Sequence, residues 1–416
     1  MRRCRTLVLL RASLAAVLLL GATGCVVRGH SVPQYPDPQA LDVGKYSSRP
    51  LDEPPGNDKY GRVVEAARLA EALIDPTEAD AALQYSVASD GVYLLSTPAK
   101  ATLLLAAPVR AVLDREGMVT GAAVGGTDVD PGYSGPVTGA SRVLSMMVLR
   151  FPDAAAAARA ATAIDAADAA VNPDNVSVAI PGYPAAHAHW RPSVPTLAAT
   201  VADGVYVLSS IAGHTSTDVA ALTGLVRKGF DAQLPRLRDF VPTPADRVAS
   251  LSLDREGMLR RLVPEAPGRW PYPKVIVNVP QRDAVWTSVI RAEGVVFGPR
   301  AARLWNGHSA ADPPIELEAV NGATQLLRMP TSAAARHALE KFDTRRSTGS
   351  TRPVSGPQGV PDALCAEHTS IPEGEPSRFL CEVIYGKYLA RMQGSQLHNL
   401  QQRLTAQYGL LVNGDS

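Results

Sequence analysis

Apolar residues recur at helical spacing in 62–74 (RVVEAARLAEALI), where Val63, Ala66, Ala67, Ala70 and Ile74 share one stripe. That spacing predicts an amphipathic helix, ended by Asp75 and Pro76. Residues 80–140 are less regular. Residues 92–95 and 101–107 read as short strands or buried segments, and 125–139 as a loop rich in Gly and Pro. From residue 141 the pattern sharpens. The run 143–151 (VLSMMVLRF) predicts a strand, and Pro152-Asp153 opens an Ala-rich helix to about residue 171, with Asp153 placed to cap it. Strands are expected at 186–190 and across 197–211, the latter bent at Asp203-Gly204. A helix over 217–234 follows, closed by Pro235.

The same order returns later. Residues 325–329 (QLLRM) predict a strand, 332–342 an Ala-rich helix, 377–392 further strand, and 396–408 a closing helix that buries Leu397, Leu400 and Leu404. VLRFPDAAAAARA resembles LLRMPTSAAARHA, and Gly204 and Tyr206 match Gly386 and Tyr388 in kind. The hexapeptide LDREGM occurs at both 113–118 and 253–258. These pairs imply an internal duplication. The hexapeptides lie 140 residues apart and the strands of Arg150 and Arg328 lie 178 apart, so insertions separate the copies. The expected fold is α+β, with two duplicated strand–helix–strand–strand–helix (ferredoxin-like) units and helices on one face of each antiparallel sheet. The linker is 240–248, between an N-terminal domain at 61–239 and a C-terminal domain at 249–416.

The chain begins differently. Arg2, Arg3 and Arg5 precede an apolar run from about Leu7 to Leu20, and small residues then lead to Cys25. That is the layout of a bacterial secretory signal, and the run is short for a membrane span. Cys25 after small residues resembles the lipobox of bacterial lipoproteins, although Ala22 stands where Leu is commonest. The resemblance implies cleavage after residue 24, a diacylglycerol thioether on Cys25 and a palmitate-type chain on its new amine. Two or more chains hold stably to a membrane. The alternative is an ordinary cleaved signal with Cys25 a bystander. Residues 25–60, broken by Pro33, Pro36, Pro38, Pro50, Pro54 and Pro55, read as an extended tether.

Cleavage changes the charge reading. Losing four arginines takes the formal net charge from +1 to −3, which is no footprint for nucleic acid or for an anionic lipid surface. Of the four cysteines, Cys4 leaves with the signal and Cys25 takes lipid. Cys365 and Cys381 remain, and export to an oxidising compartment predicts a disulfide between them.

The lipobox, LDVGKYSSRP (41–50), the GRVVEAARLAEAL helix, the repeated strand and Ala-rich helix, and the late cysteine pair together resemble a lipoprotein family. It is of actinobacterial, mycobacterial and nocardial type, and is described by a domain of unknown function with N-terminal and C-terminal parts. The resemblance implies an envelope lipoprotein and carries over no activity, cofactor or functional residue.

Candidate chemistry is sparse. His187 and His189 sit at i, i+2 on an expected strand, on one face, where two imidazoles can grip a zinc; His214 is the nearest third ligand. The plainer reading is a strand that carries two histidines. Gly132 to Gly135 misses a nucleophile elbow by one residue, and GAAVGG (121–126) lacks the lysine of a phosphate loop and reads as a loop between strands. LDREGM reads as a polar turn with Gly117 and Gly257 at positive φ. The expected role is a non-enzymatic binding or scaffold protein held to the membrane by lipid, without cofactor, its ligand in a cleft between the two units. An envelope protein or a lipid is its partner. The alternatives are an envelope hydrolase whose triad assembles from distant residues, and a carrier with a large apolar cavity.

Overall fold

A computed structural model describes residues 36–87, 91–132, 135–278, 289–306, 314–370 and 377–414. The expected signal, Cys25 and the first part of the tether lie outside the described residues. Residues Asp37–Ser416 form one compact unit.

Helix α1 (Asp58–Leu69) realises the predicted stripe. Val63, Ala66, Ala67 and Leu69 are buried, and Asn57 caps the helix by accepting from the Tyr60 N–H. The amino-terminal half continues through β1 (Tyr85–Ser86), β2 (Val92–Leu94), α2 (Val109–Arg115), β3 (Thr120–Thr127) and β4 (Val143–Arg150). Then come α3 (Ala154–Ala169), β5 (Val176–Ser177), β6 (His187–Trp190), β7 (Thr196–Asp203), β8 (Tyr206–Gly213) and α4 (Val219–Arg238). The sheet order is β1-β3-β4-β8-β7-β6-β5, with β2 also on β3, and these pairings are antiparallel.

Both faces of this sheet are covered, not one as expected. Leu144, Met146 and Val148 of β4 enter a core with α1 and α4, while Met147 and Leu149 pack with α3 on the opposite face. The near-continuous apolar run of β4 is what a strand buried on both sides requires. GAAVGG is likewise a correction: it is the middle of β3, buried throughout. A Cβ at Gly125 would stand 2.4 Å from Val87 Cγ2, and one at Gly126 2.4 Å from Pro76 Cβ. Glycine here admits a closely packed neighbour instead of breaking the strand. Pro235 does not close α4 either. The helix runs on to Arg238, and its last turn is held by buried Leu237 and by Arg236 on Glu78.

The carboxy-terminal half begins with the antiparallel pair β9 (Lys274–Asn278) and β10 (Val289–Glu293). It continues through β11 (Val295–Phe297), α5 (Pro299–Asn306), β12 (Leu317–Asn321), β13 (Thr324–Arg328), α6 (Ser332–Arg345) and β14 (Thr351–Val354). Strands β15 (Ala363–His368), β16 (Phe379–Tyr385) and β17 (Tyr388–Gly394) lead to α7 (Leu397–Asn413). The sheet order is β11-β12-β13-β17-β16-β15-β14. Helix α7 covers one face and α6 the other. The fold is therefore α+β with antiparallel sheets. In each half four strands, not the expected two, lie between the helix after β4 or β13 and the helix that closes the sheet.

The halves are not separated as the domain limits anticipate. One apolar cluster joins Leu69, Leu73 and Leu94 to Phe297, Leu304 and Val320. The 240–248 linker is pinned under α1, where a Cβ on Gly61 would lie 1.9 Å from the Val248 carbonyl oxygen. The tether also ends earlier than expected. Tyr46 is buried, Leu41, Val43 and Leu51 pack on the α7 core, Gln402 donates to Asp42, and Asn413 donates to the Ser48 carbonyl. Those apolar residues between the prolines give the segment something to bury, so it docks as an arm.

Candidate functional site

The two candidate metal ligands face α3. Buried His189 has Nδ1 2.8 Å from Asp165 Oδ1 and Nε2 3.7 Å from Asp168 Oδ2. Burial raises the Asp168 carboxyl above its ordinary range, the His189 charge opposes this, and Asp165 adds to it. His187 Nε2 lies 3.0 Å from Thr162 Oγ1. His214 does not join them. Ile211 shares the cross-strand row of His189, and His214 lies three residues further on, beside Ser216. Among the described residues no group of three or more His, Cys, Asp or Glu could hold a metal ion.

Two hydroxyl–imidazole pairs exist, Thr162 with His187 and Ser216 with His214 at 3.3 Å. No carboxylate orients either ring among the described residues. Asp218, near the second, is occupied in capping the Ala220 and Ala221 amides of α4. A nucleophile and base without an orienting third group lack the arrangement a triad needs.

The first hexapeptide carries the end of α2 into a turn at Glu116 and Gly117, and the second is a turn with a short 3-10 segment at Arg255–Gly257. Gly117 has φ +71° and Gly257 φ +70°, as expected, and Glu256 joins the latter at φ +54°. Glu116 accepts from Arg115 and Arg159, and Glu256 accepts from Arg328 at 2.6 Å. Their acids are ion-paired turn groups.

Sequence reasoning missed the buried charges. Arg150 on β4 donates to Glu65 of α1 at 2.6 Å, and Glu65 also accepts from Arg68 and from the amide and hydroxyl of Thr243. Tyr206 stands opposite Arg150 in register, as Tyr388 stands opposite Arg328. Arg328 meets Glu256 and Glu316. Glu318 of β12 is wholly buried. Its Oε2 accepts from Asn306 at 2.6 Å, and its Oε1 has no partner. Burial pushes its carboxyl up to about 8 against the pull of Asn306 and Arg391. The signal was an acid inside the apolar strand LEAV.

Space for a ligand lies beside the carboxy-terminal end of α4. A groove of about 580 Å³ is lined by Glu71, Glu78, Asp231, Arg236, Asp239 and Phe240, with Ala72, Ala232 and Pro235 on its floor. Its volume is that of a small-molecule site. Glu71 accepts from the Arg300 and Ala301 amides at the start of α5. Glu78 is held by Arg236 in a two-point contact and by Arg300 at 2.6 Å. Asp231 accepts from Tyr183 at 2.6 Å. Burial and Asp231 raise the Tyr183 phenol, which stays protonated. None of the nine lining residues carries a hydroxyl, thiol, imidazole or amine. The groove can bind and orient polar groups, and the reactive side chains it presents are carboxylates, Glu71, Glu78, Asp231 and Asp239.

Family models account for nearly all of the described body. The domain of unknown function (DUF7373) N-terminal model matches residues 52–253, and the DUF7373 C-terminal model matches 258–414. The chain belongs to the DUF7373 family. No curated protein and no solved structure matches it. The two DUF7373 parts meet at the second hexapeptide, whereas the apolar core of this DUF7373 protein runs across that boundary. Among the described residues no helix is long and apolar enough to cross a membrane.

Proposed function

We propose that this DUF7373 protein is an envelope lipoprotein, acylated on Cys25, whose body binds or organises a partner. The observation that carries the reading is the Cys365–Cys381 bond, which joins directly opposed residues of β15 and β16 and is fully buried under α7. Structural disulfides belong to oxidising, extracytoplasmic compartments. That agrees with a secretory leader ending at a lipobox cysteine. The groove beside α4, lined by the amino-terminal half and braced from the other half by Arg300 on Glu78, is the proposed place of binding.

A duplication underlies the architecture. The order β3-β4-β8-β7-β6-β5 is matched one for one by β12-β13-β17-β16-β15-β14. Equivalent helices follow β4 and β13, and equivalent helices close both sheets. The insertion between the second hexapeptide and β12, which includes β9 to β11 and α5, accounts for the unequal offsets. In this reading each copy is an elaborated ferredoxin-like unit, and the second kept a disulfide where the first pairs buried Ala188 with Ala199.

Metabolic labelling with a fatty-acid analogue tests the anchor. The wild-type chain takes label and Cys25→Ser takes none. Unlabelled wild type, or label retained by Cys25→Ser, contradicts it.

A further inference from the structure

The docked arm says which surface the anchor holds to the membrane, and this inference rests on acylation of Cys25. Asp37 lies twelve steps along the chain from Cys25, so the arm starts at most about 40 Å from the lipid, and typically about half of that. From Pro38 the arm is fastened to α7: a Cβ on Gly409 would lie 3.2 Å from Pro38 Cβ and 2.4 Å from Ser48 Cβ. The tension of the leash therefore falls on the carboxy-terminal half.

At this place a narrow cleft of about 10 Å³ opens between the arm and the 259–271 segment. Arg49 of the arm and Arg260 line it, and Leu51, Leu262, Trp270 and Leu410 are among its apolar lining. Arg49 and Arg260 are exposed, and neither guanidinium is in an ion pair among the described residues. Of the neighbouring acids, Asp254 accepts from the Leu259 and Arg260 amides and feels the Arg260 charge, Glu53 accepts from Ser252 and the Leu253 amide, and Asp52 is exposed. Trp270 is only 7% exposed, and its indole N–H has no acceptor. Two exposed guanidiniums thus flank the mouth of one cleft, neither in an ion pair among the described residues. The cleft has room for about one water, which excludes an acyl chain and leaves its mouth as the contact.

We propose that the face bearing Arg49 and Arg260 docks on anionic phospholipid headgroups, so that the leash and the patch together lay the carboxy-terminal half on the membrane. Charge complementarity and the short reach from Cys25 select a lipid surface over a soluble partner. Exposed Lys45 and Arg269 extend the positive field on either side. The negative total of the mature chain conceals this local patch, since a surface field depends on where charges sit.

The test removes the anchor and leaves the patch. Mature chain from residue 25 carrying Cys25→Ser, which retains every described residue, is sedimented with phosphatidylcholine vesicles with and without phosphatidylglycerol. Binding is expected only with phosphatidylglycerol, falling as salt rises. The double variant Arg49→Glu, Arg260→Glu, with unchanged thermal unfolding, loses about tenfold or more in affinity. The charge-preserving variant Arg49→Lys, Arg260→Lys retains binding. Equal sedimentation with both vesicle types, or an unaffected Glu variant, overturns the proposal. So does full competition by inorganic phosphate at matched ionic strength, which would assign the patch to a soluble phosphoryl ligand. Because the anchor is absent from this assay, failure of the patch leaves the acylation reading standing, and failure of acylation leaves a measured patch.

Discussion

Glu318 keeps its proton at neutral pH because burial on β12 penalises the charged form more than Asn306 and Arg391 favour it. Its folded-state value of about 8 lies above the 4.5 of an ordinary glutamate. A raised carboxyl favours the folded state fully only below the unfolded value, and that contribution is lost as pH rises toward 8. Relative to Glu318→Gln, wild type is expected to lose on the order of 3 kcal/mol between pH 5 and pH 7.5 in chemical denaturation. Identical pH profiles would contradict the assigned burial. Glu65 is the opposite case, a buried carboxylate with every oxygen engaged. Glu65→Ala strands Arg150, whose side chain is 6% exposed, and should cost about 3–5 kcal/mol in the same measurement. Arg110→Ala, breaking the exposed pair with Asp114, should change stability by no more than about 0.5 kcal/mol. The sequence marks both acids as oddities among apolar neighbours. It does not name their partners, because Arg150 is 85 residues from Glu65 and the contact exists only once β4 lies against α1.

At the level of elements, the signals that proved readable are local. Asp153 and Thr331 cap α3 and α6 through the Ala156 and Ala334 amides, so both helices begin where the caps stand. The turns at Gly204 (φ +56°) and Gly386 (φ +55°) were visible as glycines, but the stretch 197–211 is a tight hairpin of β7 and β8 and not one bent strand. Glycine misled where packing and not conformation demanded it, as in β3. Pro235 misled because tertiary contacts of Leu237 and Arg236 sustain one more turn. Strands β15 and β16 give the element-scale prediction. Their disulfide closes a loop of sequence separation 16 and should contribute about 3 kcal/mol by the chain-entropy account. Reduction, or Cys365→Ala with Cys381→Ala, should lower the denaturation midpoint by that equivalent while far-UV circular dichroism is kept. An unchanged midpoint would contradict it.

For the molecule as a whole, what the sequence left hidden is how its parts close on one another. Amphipathic patterns show that a face is buried and not against what. The cluster from Leu73 to Phe297 and the arm from Leu41 to Leu51 turn two expected domains and a spacer into one body. A wide cleft between units is therefore replaced by packed side chains, and the open groove lies to one side, at the end of α4. The proposed acylation of Cys25 would hold that body outside the cell, a compartment whose redox chemistry suits the opposed Cys365 and Cys381. Intact mass spectrometry of the protein taken from native membranes tests this directly. The account predicts a chain of residues 25–416 carrying diacylglyceryl and N-acyl groups and lacking two hydrogens for the disulfide. An unacylated chain retaining residues 1–24, with the Cys365 and Cys381 thiols free, would contradict it.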